Sequence, residues 1–360
     1  MFDIIPLPYL FVFLFPRTAP YYLQGTIDAP LVTGVHFPNN VFQLLTPATS
    51  QAIHTEFTPH RSYKAQWNFN IQRQLNRSLA LTVGYIGSVG VHLANSIYDN
   101  NQVAPERVQF INNHYVLPVP AAGQAIQKTT PFFGQIRSLD WRGHSAYHSL
   151  QTNLVQRPMR GLSYQIAYTY SKSIDNGTAA IADNESLNSI GGPWAYCERC
   201  NRGRSDFDLT HNMVLNFQYD VPVFAAVKSS AIANTILGGW QLGGIYTLQN
   251  GGLFNLKIAG DQARTGSTIV AAAQGGQRPD WLAANPGCSD PTTGNIARYV
   301  KTECFQFTAP GVLGNLGRDV FRMPVFRTWT FRSSRTRTYG ASASRRSCAS
   351  KCSTSSTTPI

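Results

Sequence analysis

The sequence predicts an all-β chain of long antiparallel strands that cross a membrane as a β-barrel, joined by long loops. Three observations carry that prediction. Apolar and polar residues alternate with period two over long stretches, aromatic residues are abundant while charged ones are scarce, and Gly- and Pro-rich segments separate the alternating stretches.

The first alternating pair runs from Tyr63 to Tyr85. Tyr63, Ala65, Trp67, Phe69 and Ile71 are apolar, whereas Lys64, Gln66, Asn68, Asn70 and Gln72 between them are polar. Strict period two means a strand with one apolar and one wet face. After a polar break at Asn76, Arg77 and Ser78, the parity resumes with Leu79, Leu81, Val83 and Tyr85, which predicts a hairpin. A second hairpin follows. Ala146, Leu150 and Leu154 alternate with Ser149, Gln151 and Asn153, with His148 interrupting the apolar face. The turn spans Arg157 to Gly161, and Leu162, Tyr164, Ile166, Tyr168 and Tyr170 resume the alternation. Met213, Leu215, Phe217, Tyr219 and Val221 form the next strand, which Pro222 stops because it cannot donate to a ladder. Trp240, Leu242, Tyr246 and Leu248 form another, with Phe254, Leu256 and Ile258 as its expected partner.

Composition agrees. Aromatic residues make up 12% and charged residues 13%, with 29 Gly and 21 Pro, so the residues that long helices favour are under-represented. No apolar run reaches the roughly 18 residues of a membrane helix. The segment Met1 to Phe15 is apolar but contains Pro6 and Pro8, lacks a basic start and has no small-residue cleavage site. It reads as strand or loop from the interior of a longer protein, with a degenerate export signal as the alternative.

Strand length and the chemistry of the polar face separate a soluble sandwich from a membrane barrel. Sandwich strands run about five or six residues, whereas barrel-spanning strands need roughly nine to eleven. Tyr63 to Gln72, Ser163 to Ser171 and Asn212 to Val221 have the longer length, and their polar faces carry Asn, Gln, Ser and Thr with few ions, as a solvated lumen requires. Tyr63, Trp67, Phe69, Ile71, Tyr164, Tyr168, Tyr170, Phe217, Tyr219 and Trp240 are the expected lipid-facing or interface residues. Aromatic alternation also suits an exposed sugar-binding sheet, so a secreted all-β carbohydrate-binding module stays open as the soluble reading.

Several stretches resemble a known family. QWNFNIQRQLNRSLALTVGYIGSVG from Gln66, HSAYHSLQTNLVQRPMRGLSYQIAYTYSKSIDNG from His144, RGRSDFDLTHNMVLNFQYDVP from Arg202 and GGWQLGGIYTLQNGGLFNL from Gly238 resemble, in order, the barrel of Oar-like TonB-dependent receptors. GNLGRD from Gly314 to Asp319 resembles the loop before that family's last strands. The resemblance covers most of residues 60–331. It implies a barrel in the cell outer membrane of a Gram-negative bacterium, following a carboxypeptidase-regulatory-like domain and a plug in complete members. Neither is recognisable here, so the resemblance implies a C-terminal piece of a longer parent, a partial antiparallel transmembrane β-barrel of about ten to twelve strands with long extracellular loops: residues 1–60 as interior barrel strands and loop, 61–331 as receptor-like barrel, and 332–360 as a disordered basic tail.

That tail has 14 Ser or Thr, six basic residues and no acid, and supplies half of the formal net charge of +12. It reads as a frameshifted translation, because codons compatible with it accommodate a shifted frame containing LRVEVFNVFNHP, which resembles the family's terminal strands. Sequencing the DNA through the Arg332 codon checks this: the shifted frame is expected to restore that peptide, and codons that forbid it refute the reading.

Candidate chemistry is sparse. Cys197 and Cys200 form C-E-R-C, read as a small loop disulfide formed outside the cytoplasm, and Cys288 and Cys304 are expected to pair across one loop. Asp206, Asp208 and His211 cluster before a strand and are weak candidates for a hard cation, with structural hydrogen bonding the stronger reading. No nucleophile elbow, phosphate loop, HExxH or paired-carboxylate site is present, so neither catalysis nor a cofactor is expected. Arg73, Arg77, Arg157 and Arg160 lie scattered in turns and not in a stripe, which argues for anionic outer-membrane lipid over nucleic acid as the basic partner. The segments 98–140 and 261–317 are the expected extracellular loops, with Trp141, Trp194 and Trp281 as candidates to contact an extracellular ligand such as a carbohydrate. The expected role is passive uptake or surface binding through the intact parent, with TonB engaged only through its plug. A plug-free porin-type channel is the other alternative.

Overall fold

The structure, a computed structural model, describes residues 24–25, 50–97, 99–177, 192–222, 238–267, 276–336 and 347–350. The strands in chain order are β1 (Gln24–Gly25), β2 (Ser50–Thr55), β3 (Tyr63–Gln74), β4 (Leu79–Ile97), β5 (Gln109–Ile111), β6 (His114–Val116), β7 (Gln135–Met159), β8 (Leu162–Asp175) and β9 (Gly203–Arg204). There follow β10 (His211–Asp220), β11 (Trp240–Gln249), β12 (Leu253–Phe254), β13 (Asp280–Trp281), β14 (Phe305–Gln306), β15 (Phe321–Arg322), β16 (Phe326–Thr336) and β17 (Ser347–Ser350). One 11-stranded sheet dominates. Its backbone is an antiparallel meander in which β3, β4, β7, β8, β10, β11 and β16 each pair with the next. No described helix is long and apolar enough to cross a membrane.

The register turns the sequence alternation into two faces. One row across all seven strands is Ile71, Val83, Thr152, Tyr168, Met213, Leu248 and Arg327. The next row on that face is Leu81, Leu154, Ile166, Leu215, Tyr246 and Trp329, with the last two rings 4.3 Å apart. The opposite face carries Gln72, Thr82, Asn153, Ala167, Val214, Thr247 and Thr328, and the Gln165 amide donates to Asn153 Oδ1 at 3.0 Å. A single-layer sheet with one apolar and one polar face needs lipid on one side and water on the other. Phe69 is 65% exposed and Ile71 58%, because nothing among the described residues covers them.

The two ends of the sheet differ. At one end two of the turns are tight: Leu75 N–H donates to Leu79 O across the β3–β4 turn, and Arg160 and Gly161 both adopt positive φ between β7 and β8. At the other end three long connections emerge, and β4 and β7, 19 and 25 residues long, continue beyond a spanning length to support them. The β4–β7 ladder shifts register between Gly90 and Leu93, and β2 joins the projecting end of β7 in parallel. Two expectations need correction. The segment containing Phe254 does not pair with β11, whose neighbours are β10 and β16; Asn250, Gly251 and Gly252 turn the chain away, and Phe254 pairs with Phe321. The final long strand also continues through Arg332 to Thr336, with Arg332 opposite Gly243 and Arg335 opposite Trp240. Apart from Ser347–Ser350, the rest of the tail lies outside the described residues, as does most of the 1–60 segment. Among the described residues the sheet does not close, since β3 pairs only with β4 and β17 only with β16.

Glycines mark two close approaches in the wall. A Cβ at Gly143 meets the Leu93 carbonyl oxygen at 2.6 Å, a backbone atom that cannot swing aside, whereas at Gly87 it meets the Trp67 ring, which can. Gly143→Ala is therefore expected to destabilise the refolded sheet by about 1–3 kcal/mol, and Gly87→Ala by about 1 kcal/mol or less. Urea titrations in detergent micelles check the order, and equal losses contradict it.

A loop cap locked by buried ions

The three long connections leave the same end of the wall and pack on one another. Val103 and Leu117 from the first, Trp194 and Cys197 from the second, and Ala263 and Leu313 from the third form one buried apolar cluster. Backbone bonds tie it: Val103 N–H donates to Thr265 O at 2.8 Å, Leu117 N–H to Gly311 O at 2.7 Å, and Leu313 N–H to Tyr115 O at 3.0 Å. Two disulfides staple it. Cys197 and Cys200 close a single 3₁₀ turn, and Cys288 and Cys304 close the third connection, each with Cα atoms 5.3 Å apart.

Beneath that cluster lies a group of buried ions. Arg318, its side chain 1% exposed, is paired with Asp175 at the end of β8 and lies 3.3 Å from Asp319 through Nε. Its guanidinium also donates to Arg204 O at 2.9 Å. Arg322 is paired with Asp208, whose other oxygen accepts the Ser173 N–H at 2.7 Å. Arg278 donates to Cys200 O and to Asn201 Oδ1, both at 2.9 Å, and burial, with Arg318 nearby, lowers its pKa to about 10, leaving it charged at neutral pH. Burial lowers Lys257 as well, with Arg278 adding to the effect. Asn255 orients Asp319, its Nδ2 donating to Oδ1 at 2.7 Å and its Oδ1 accepting the Asp319 N–H at 2.6 Å. Two glycines admit this network: a Cβ at Gly203 meets Arg318 O at 2.6 Å, and one at Gly314 would overlap Arg278 O.

The residues singled out from sequence fall into this frame. Trp141 and Trp194 are buried in packing contacts, and Trp281 is half-buried. Trp141 is 8% exposed and its N–H donates to Glu56 Oε2 at 2.8 Å; Trp194 is 4% exposed and its Nε1 donates to Val103 O at 3.0 Å. Trp281 Nε1 donates to Cys288 O at 2.9 Å, and its ring meets Phe321 edge-on. Asp206, Asp208 and His211 do not converge on a cation: Asp206 lies beside Asp319, Asp208 binds Arg322, and His211 Nδ1 lies 2.8 Å from the Tyr168 hydroxyl. Among the described residues no group of three His, Cys, Asp or Glu side chains is placed to hold a metal. Tyr63, Trp67, Phe69, Ile71, Tyr164, Tyr168, Tyr170, Phe217, Tyr219 and Trp240 all share the apolar face, and Trp240 carries the Arg335 guanidinium 5.5 Å from its ring centre. Sequence reading missed Arg278, Arg318, Arg322 and Asp175. Asp175 and Arg318 had a signal only as members of the resembling segments SIDNG and GNLGRD, whereas Arg278 and Arg322 lie outside every such segment.

Asp319 titrates abnormally. Burial first, then its hydrogen bond and charge repulsion with Asp206, raise its pKa from 3.8 to about 7 against the opposing pull of Arg318 and Arg278. A raised carboxyl pKa contributes stability that is complete below the unfolded value and is lost as pH rises through the folded one. Cap stability is therefore expected to fall from about pH 4 to about pH 7 and then level off, and Asp319→Asn to flatten that window. Limited proteolysis of the loops in micelles at pH 5 and pH 8 checks this; an unchanged pH profile in the Asn variant contradicts it.

The outer membrane β-barrel domain family matches residues 11–344. Among curated proteins none matches the chain. Among solved structures, the outer membrane transporter YddB from Escherichia coli is similar at 10% identity and a TM-score of 0.36, over 77% of this chain and 26% of that one. The chain thus spans about a quarter of that transporter's length, and the likeness is too remote to carry an argument. The family match covers nearly the whole chain and agrees with the two-faced sheet, which places the protein in the outer membrane. This chain belongs to the outer membrane β-barrel domain family.

Proposed function

We propose that the chain forms part of the wall and the outer face of an Oar-like, TonB-dependent receptor, with a passive, non-catalytic role in surface binding or uptake. The observation that carries this reading is the cap. Three connections share an apolar cluster, two disulfides and a buried ion group, so the outer end of the wall presents a rigid surface of the kind a receptor needs to recognise a ligand without reordering its loops. The resemblance of GNLGRD and of the four strand segments supports the receptor type, and energised transport would belong to a plug elsewhere in the parent. The ligand would meet the polar rims of the cap, because the tryptophans are spent on packing.

The plug-free porin reading makes a different demand, a closed wall. Among the described residues β3 and β17 each have one neighbour, and lipid does not solvate an open strand edge. Refolded alone into planar bilayers, the chain is expected to give no steady single-channel steps. Reproducible unitary conductance without any partner would overturn the receptor-wall reading in favour of a channel.

A further inference from the structure

A cavity of about 490 Å³ lies where the cap meets the wall, next to the turn held by Cys197 and Cys200. Its apolar floor is the cross-strand row Val89, Ala146 and Ile174, which belongs to the lipid-facing side of β4, β7 and β8. Its polar wall is supplied by His144, Arg199 and Arg202. Asp175 also borders the cavity, but its carboxylate is taken by Arg318, and Glu198 is engaged by Arg142 Nη1 at 3.4 Å.

The level of this cavity follows from the side chains just below it. On the same face, the Tyr85 hydroxyl lies 2.7 Å from His148 Nδ1, and Trp67 and Lys172 occupy the same cross-strand row as His148. Rings with polar tips beside a lysine mark the headgroup layer, between the apolar rows and the aqueous cap. Arg199 is held in place by its own stacking, its guanidinium carbon 5.1 Å from the Phe110 ring centre and 5.2 Å from that of Tyr115. Both Arg199 and Arg202 are exposed, and among the described residues neither has a carboxylate partner.

We propose that this cavity binds the phosphate of an anionic membrane lipid, with Arg199 and Arg202 as its donors, the glycerol end over Val89, Ala146 and Ile174, and the acyl chains running down the face past Trp67 and Tyr85 to the apolar rows. Charge complementarity selects the headgroup, and the apolar floor, with Trp67 and Tyr85 leading from it to the apolar rows of the wall, selects a lipid over a soluble anion. The inference rests on the outer-membrane placement and is independent of the receptor reading, so failure of either leaves the other standing.

The test is native mass spectrometry of the full chain refolded in neutral-detergent micelles doped with phosphatidylglycerol or with phosphatidylcholine. The chain is expected to retain phosphatidylglycerol preferentially. Arg199→Ala with Arg202→Ala should lower that retention about tenfold or more, at roughly 1 kcal/mol per cation. Arg199→Lys with Arg202→Lys keeps the charge and should hold most of the preference, while Arg157→Ala with Arg160→Ala, at the opposite end of the wall, should hold all of it. Circular dichroism establishes that each variant has folded, and the lysine pair gives a second reading if the alanine pair has not. Equal retention of the two lipids, or unchanged retention in folded alanine variants, overturns the proposal. Displacement of the lipid by millimolar inorganic phosphate also overturns it, because it would show a site for the free anion.

Discussion

Everything at the outer end of this protein depends on matching buried charge. Arg318 and Arg278 carry their charges where almost no solvent reaches, and a buried ion left without a partner costs several kcal/mol. The surroundings are built to meet that demand. The cations Lys257, Arg278, Arg318 and Arg322 share one neighbourhood with the carboxylates of Asp175, Asp206, Asp208 and Asp319, supplied by the end of β8, the second connection and the third. No one of these segments can leave without stranding charge in the others. The cap is therefore a single unit that forms or opens as a whole.

The charge network also explains local backbone choices. Gly203 lets the Arg318 backbone lie against β9, and Gly314 lets the Arg278 carbonyl pass at a distance that no side chain tolerates. Asp319 itself adopts a left-handed φ of 53°, a conformation aspartate accepts more readily than bulkier residues, and Asn255 fixes it there from both sides. The disulfides act beside this network. Cys200 holds the carbonyl that receives Arg278, so the C-E-R-C turn is tied to the ion group below as well as to the apolar cluster.

The wall was legible in the sequence and the cap was not, for one physical reason. A sheet one layer thick between lipid and water must write both faces into its residues, so Tyr63 to Ile71, Leu162 to Tyr170 and Met213 to Tyr219 disclose strand, face and register by parity alone. The connections have no period. Arg318 meets Asp175 across 143 residues, and nothing local in GNLGRD says which acid it will find. Trp194 and Trp281 looked like ligand platforms because aromatic residues in loops are ambiguous until their neighbours are known; here each indole N–H is satisfied by a loop carbonyl. The expected pairing of Phe254 failed for a related reason, since a short apolar run after a Gly pair carries no register of its own.

The central claim is that the second and third connections open together because buried ions couple them. Hydrogen exchange of the refolded protein in micelles, compared with Arg318→Met, tests it most directly. Coupling predicts that the methionine variant loses amide protection in residues 201–210 as well as in 311–322, while the strands β8, β10 and β11 keep theirs. Loss confined to 311–322, with 201–210 still protected, would contradict it.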